Sequence, residues 1–214
     1  AHIRKFFGWL VERGHLEHSP ADHIKPRYRE QERERVLSDS EIKTIRVAAE
    51  SLSQPYNAWI QLLLLCGQRR LETASMRRSQ IIDGCWHLSG DDTKNKQAHI
   101  IPLSRQAQTL VDHLLEQDGN YLIKTGRTGD KSINGFSKAK IQIDRLSQVQ
   151  GWKFHDIRRT VATNLAKLGT DRLLLQKIIN HSETGATKIY DRYSYMDEKR
   201  EALQKWADRL DEIT

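Results

Sequence analysis

The stretch Phe154-His155-Asp156-Ile157-Arg158-Arg159-Thr160 combines an imidazole and guanidinium groups at a spacing that could act on a phosphate. On a helix, His155 and Arg158 stand at i and i+3 and share a face, while Phe154, Ile157, Val161 and Leu165 form a buried stripe. Arg158 is then directed away from the core. Its planar donor fork matches two phosphate oxygens in a way lysine cannot imitate; the alternative is an exposed arginine paired with Asp156 or Asp171. In Cys66-Gly67-Gln68-Arg69-Arg70-Leu71-Glu72, a glycine frees the backbone to turn between two helices, so Arg69 lies beside helix N-terminal amides that can hold an anion. A purely structural junction is the commoner use of such a stretch. Thr93-Lys94-Asn95-Lys96 falls between two expected strands. There Lys94 is either a solvated loop residue or an ammonium that a tight loop pushes into a DNA groove, within reach of a leaving oxygen. Finally, His181 precedes Tyr190 by nine positions, and Tyr190, Tyr193 and Tyr195 are three of the six tyrosines. A phenol is a candidate nucleophile, although tyrosine clusters also pack with an apolar body and a wet hydroxyl.

The elements that must carry these groups are mostly helices. Ile3, Phe6, Phe7, Leu10 and Val11 recur at helical spacing, which predicts an amphipathic helix ending near Gly14, with an apolar face that needs a partner. Residues 27–36 are polar, lack an apolar face and read as a linker. Ser38 with Glu41 forms a capping box opening a helix through about Ser51, and the apolar run up to Gly67 follows Pro55. A short helical stretch is expected around Leu71 to Met76. Ile81-Ile82, Trp86 to Leu88 and His99 to Pro102, separated by Asp83-Gly84 and a polar loop from Gly90 to Gln97, then predict a small antiparallel sheet. Further helices are expected at Ser104 to Glu116, Ser132 to Gln148, His155 to Lys167, Asp171 to Asn180, about Thr184 to Arg192, and Asp197 to Ile213. The fold class is mainly α with a small antiparallel β-sheet (α+β).

The 214 residues are enough for one ordinary domain or a domain plus a fragment. The strongest apolar run, Ala58 to Cys66, is too short to span a bilayer, so no membrane partner is expected. Ala1-His2-Ile3-Arg4-Lys5 has no cleavable signal pattern and no initiator Met, and reads as a cut inside a longer protein. Cys66 and Cys85, the two cysteines, belong to no CxxC or Cys/His cluster, which argues against a disulfide framework or a zinc site and for a reducing, intracellular setting. The net charge is +7, and the stretch from Asn120 to Tyr193, with 14 basic against 6 acidic side chains, carries the basic excess. A phosphate-binding surface is sought there first.

Taken in order, Arg69, Lys94, His155, Arg158, His181 and Tyr190 resemble the pattern of the tyrosine recombinases, or phage integrases, over nearly the whole span from Val36 to Tyr195. The family pattern is Arg after Thr-Gly-x, a β-hairpin Lys, His-x-x-Arg, a His or Trp, and a nucleophilic Tyr nine residues beyond that last His. The tail from Ile189 through Trp206-Ala207 looks like integrases of temperate phages, satellite phages and genomic islands. Cys66 stands where Thr is usual, and Asn180 where Gly commonly precedes the His-Ser pair. The resemblance implies a catalytic domain over 37–195, the end of a core-binding domain over 1–26, and a C-terminal helix over 196–214 that packs either on a neighbouring protomer or on its own domain. It implies site-specific strand exchange for integration or excision of a mobile element, without metal or other cofactor. Tyr190 is the nucleophile, Arg69, Arg158 and His181 stabilise the phosphate, His155 is the base, Lys94 the acid, and Glu72 orients basic neighbours. Partners would be double-stranded attachment-site DNA, a homotetramer on that DNA and accessory DNA-bending proteins; the setting would be the bacterial cytoplasm, associated with the nucleoid. A topoisomerase of the related tyrosine class and a non-enzymatic helix-turn-helix built from residues 155–180 are the rival readings. A metal-dependent nuclease fits less well, since no carboxylate cluster accompanies the histidines.

Overall fold

The computed structural model describes residues 2–25, 34–125, 131–181 and 193–213. Backbone contacts divide the chain into Ala1–Glu34 and Arg35–Thr214. In the first unit, α1 (His2–Glu12) forms where the apolar spacing predicts it, and none of its described side chains is buried; Ile3, Phe6 and Trp9 are exposed.

The second unit is built around α3 (Gln54–Cys66), in which Ala58, Trp59, Ile60 and the run Leu62 to Cys66 are all buried. A helix apolar on every side must be surrounded. α2 (Asp39–Glu50), α5 (Arg105–Leu115) and α7 (Phe154–Lys167) pack on it, with α6 (Phe136–Ser147) against α2. The expected capping box starts α2: Ser38 Oγ accepts from the Glu41 amide at 3.3 Å, and Glu41 Oε2 accepts from the Ser38 amide at 2.9 Å. The C-terminal helix α9 (Met196–Ile213) lies on the same unit, touching α2, α3, α5, α7 and α8 (Arg172–Ile178). Its expected stripe of Leu203, Trp206 and Leu210 is fully buried, and Trp206 Nε1 donates to the Leu64 carbonyl at 2.7 Å.

β1 (Ile81–Ile82), β2 (Cys85–Leu88) and β3 (His99–Pro102) form an antiparallel sheet in sequence order, with Trp86 opposite Ile81 on one side and Ile101 on the other. Asp83 and Gly84, at φ 47° and 70°, make the tight left-handed turn that a two-residue hairpin requires.

One expected boundary is wrong. Ser132 does not open a helix. It pairs with Lys124 in a second hairpin, β4 (Lys124–Thr125) and β5 (Lys131–Ser132), and the pairing continues through Ile133 to the Ile123 carbonyl at 3.1 Å. α6 begins at Phe136, after Gly135 takes φ 70° and the Tyr56 hydroxyl donates to the Asn134 carbonyl at 2.6 Å. Burial of Ile133 and these bonds to Ile123, Lys124 and Tyr56 outweigh a local helical period that extends across Ser132. The helix expected about Thr184 to Arg192 lies outside the described residues. No described helix is long and apolar enough to cross a membrane.

Candidate active site

Four parts of the second unit meet at the C-terminal end of α8, where the last carbonyls have no partner within the helix. Asp171 starts this short helix by accepting the Leu173 and Leu174 amides at 2.8 and 3.0 Å. At the other end, the Ile178 carbonyl accepts Gln68 Nε2 at 2.9 Å and faces His99 Nε2 at 3.1 Å. The Ile179 carbonyl accepts Arg158 Nη2. The Asn180 carbonyl accepts Arg69 Nη2 at 2.9 Å. Cationic and amide donors are thus drawn to the negative end of a helix.

Arg69 immediately precedes α4 (Arg70–Ala74), and Glu72 on that helix holds it twice: Arg69 Nη1 donates to Oε1 at 2.8 Å, and the Arg69 amide donates to Oε2 at 3.3 Å. Glu72 is itself buried. Gly67 provides the expected turn at φ 62°, and a Cβ there would stand 2.8 Å from Val161 Cγ1. That close approach lets α7 bring Arg158 Nη1 within 2.9 Å of the Gly67 carbonyl.

The expected apolar stripe of α7, Phe154, Ile157, Val161 and Leu165, is buried. Arg158 departs from expectation. It is 4% exposed rather than pointing into solvent, because it bridges two carbonyls, one from the α3–α4 junction and one from the end of α8. Asp156 instead pairs with Arg159 at 3.2 Å, and Asp171 caps α8. Burial and the neighbouring Arg69 charge lower the Arg158 pKa to about 10, which leaves it cationic at neutral pH.

His155, on the first turn of α7, and His181, just beyond α8, are accessible. Partial desolvation lowers the pKa of both below 6.5; Arg159 and Arg158 add to the effect at His155, and Arg158 and Arg69 at His181. Arg158 thus stands within electrostatic reach of both imidazoles and of Arg69, and the surroundings disfavour the charged form of both histidines. Exposed Lys94 lies in the β2–β3 loop and lines, with Arg69, Glu72 and His155, a cavity of about 990 Å³. Phe136, Trp152 and Lys140 also line it. Tyr190 lies outside the described residues. Among the described residues no group of three His, Cys, Asp or Glu side chains is arranged to hold a metal.

Sequence reasoning missed Gln68, His99 and Asn95, which bond the Ile178 and Asn180 carbonyls at the end of α8. Nothing in their spacing announces a role, because their partners are backbone carbonyls or a distant amide. The two noted departures acquire physical content. Cys66 is a buried thiol whose pKa is pushed up to about 12 by desolvation, so it is a neutral core group. Asn180 adopts φ 47°, the left-handed conformation that glycine takes without cost and asparagine tolerates better than most residues.

The sequence profile described as the phage integrase family matches residues 35–196. Tyrosine recombinase XerD of Lacticaseibacillus casei is 24% identical over 210 residues, covering 90% of this chain and 70% of that protein. Prophage integrase IntZ of Escherichia coli (strain K12) is 28% identical over 160 residues, covering 72% and 39%. Among solved structures, a lambda integrase dimer bound to a COC′ core site superimposes with a TM-score of 0.66 at 20% identity, covering 89% of this chain and 72% of that one. An integrase from mycobacterium phage Brujita gives 0.62 at 19% identity, covering 99% and 74%.

Proposed function

The chain belongs to the phage integrase family, and from that premise we propose that it breaks and rejoins DNA at specific sites through a 3′-phosphotyrosyl link made by Tyr190. The convergence of Arg69, Arg158, His155 and His181, with Lys94 and Arg69 on one cavity, supports this reading. These are the groups an attacked phosphodiester needs.

An isolated phenol has a pKa of about 10 and is a poor nucleophile at neutral pH. His155, whose charged form its surroundings disfavour, accepts the Tyr190 proton as the phenolic oxygen bonds to phosphorus. Negative charge then grows on the non-bridging oxygens, where Arg69, Arg158 and His181 donate. The bond to the 5′ oxygen breaks, and Lys94 supplies its proton. The link conserves the bond energy, and attack by a 5′-hydroxyl from another strand reverses the steps. Glu72 keeps Arg69 extended towards the site rather than reacting itself.

Two solved relatives are a lambda integrase dimer bound to a COC′ core site and a lambda integrase tetramer bound to a Holliday junction. By analogy the partner here is double-stranded attachment-site DNA, engaged as a homotetramer. Accessory DNA-bending proteins, a mobile-element role and action in the bacterial cytoplasm at the nucleoid belong to the same proposal, as do the assignments of residues 1–26 to a preceding core-binding domain, 27–36 to a linker and 37–195 to the catalytic domain. Reading α7 and α8 as a helix-turn-helix leaves Arg69 and Lys94 without a task, and it turns a buried Arg158 towards backbone carbonyls instead of DNA.

The experiment is to incubate the protein with a nicked suicide duplex in the presence of chelator and map the adducted peptide. The expected adduct is on Tyr190; Tyr190→Phe abolishes it and Tyr193→Phe retains it. An adduct that survives Tyr190→Phe would reassign the nucleophile. Relaxation of supercoils without any exchange of strands would favour the topoisomerase reading.

A further inference from the structure

Asn95 and Asn180 face one another with both side-chain amides engaged. Asn95 Nδ2 donates to Asn180 Oδ1 at 2.8 Å and to the Asn180 carbonyl at 3.3 Å, and Asn180 Nδ2 donates back to Asn95 Oδ1 at 3.3 Å. The same Asn180 carbonyl receives Arg69. In sequence, Asn95 adjoins Lys94 and Asn180 adjoins His181. One amide pair thus touches three of the pieces on which the proposed reaction depends.

The β2–β3 loop is tied to itself. Ser89 Oγ donates to Asp92 Oδ2 at 2.7 Å, and Thr93 Oγ1 donates to the Gln97 carbonyl at 2.8 Å. A Cβ on Gly90 would stand 2.8 Å from the Lys96 carbonyl oxygen, so the loop closes tightly on itself there. Arg77 Nη1 also pairs with Asp92 Oδ1 at 3.2 Å, and Asn95 supplies the side-chain bonds from this loop to the end of α8. Asn180 is buried and conformationally committed at φ 47°. Glycine would accept that backbone equally well, but it would offer no amide to Asn95.

We propose that Asn95 and Asn180 are positioning residues that set Lys94 against the phosphate held by Arg69, Arg158 and His181. This rests on the reading of Lys94 as the group that protonates the departing 5′ oxygen. A general acid acts only within hydrogen-bond reach of its target, and a misplacement of about 1 Å can cost about 100-fold. Lys94 itself is exposed and cannot find that position by packing.

The test uses a nicked duplex built on the junction where the protein's own mobile element meets flanking DNA. It is prepared once with the ordinary 5′ oxygen and once with sulfur at that bridging position, since a thiolate leaves without being protonated. Asn95→Ala is expected to slow cleavage of the oxygen substrate about 100-fold and to cleave the sulfur substrate within about tenfold of the unsubstituted protein. Asn180→Gly, which keeps the backbone conformation and the carbonyl to Arg69, is expected to show a smaller defect with the same rescue by sulfur. A merely structural role would slow both substrates alike, and that result, or an Asn95→Ala protein unimpaired on both, overturns the proposal. Lys94→Ala separates the two levels. If sulfur does not rescue it, the role of Lys94 fails and the positioning argument with it; if sulfur rescues Lys94→Ala but not Asn95→Ala, only the positioning argument fails.

Discussion

Arg158 answers two demands with one side chain, since its guanidinium satisfies the Gly67 and Ile179 carbonyls while standing among the groups proposed to hold the phosphate. Arg158→Lys keeps the charge and loses the fork. We expect it to lower cleavage by the equivalent of roughly 3–4 kcal/mol and to destabilise the fold by about 1–3 kcal/mol through unsatisfied carbonyls. Arg69→Ala, by contrast, is expected to abolish cleavage while leaving most DNA affinity, because binding is shared among many phosphates. Single-turnover cleavage, urea melts and filter binding separate these effects, and normal cleavage by either variant would refute the site assignment. His99 makes a second prediction at this scale. Burial, helped by the Lys199 charge, lowers its pKa from 6.5 to about 3. The unfolded chain therefore binds the extra proton more readily, and the native state loses stability as pH falls from 6.5 towards 3. The loss from this group should approach about 1.4 kcal/mol per pH unit below pH 6, and amount to about 1.6 kcal/mol between pH 6.5 and 5. Urea melts at the two pH values test it, and His99→Gln should flatten the dependence.

Among the elements, α9 is the one whose placement the apolar pattern left open. Leu203, Trp206 and Leu210 mark a stripe that would suit a neighbouring protomer as well as its own domain, and the stripe lies on its own unit with the indole bonded to the Leu64 carbonyl. Trp206→Ala should therefore destabilise the isolated chain by about 3–5 kcal/mol, measured by chemical melt at low protein concentration. No change there would mean that the helix is not docked on its own unit in solution. The start of α2 was legible from the Ser38 and Glu41 pair, a local chemical instruction, and the helix expected from Asp171 does begin there, though its capping role emerged only from the structure. Ser132 shows where local instruction fails, because the Ile123–Ile133 pairing competes with the helical period and wins.

For the molecule as a whole, charge rather than shape suggests how DNA is gathered. The basic excess between Asn120 and Tyr193 includes exposed Lys138 on α6. If that face meets phosphates, Lys138→Gln should reduce the slope of log affinity against log salt by about 1 without changing the rate at which bound DNA is cleaved. Fluorescence anisotropy across a salt series provides the slope, and an unchanged slope would remove Lys138 from the contact. The sequence by itself determined the inventory of reactive groups, their order, most of the described helices and short strands, and the family they resemble. Chemical identity, caps and apolar period are local properties of the chain. Only the tertiary structure decided that Arg158 is buried, that Arg69 and Asn95 share the Asn180 carbonyl, and that α9 folds back on its own unit. Arg158 and Gly67 are 91 positions apart, and Arg69 and Asn180 are 111 apart. A carbonyl that accepts such a bond has the same chemistry at every residue, so no spacing in the chain can single it out.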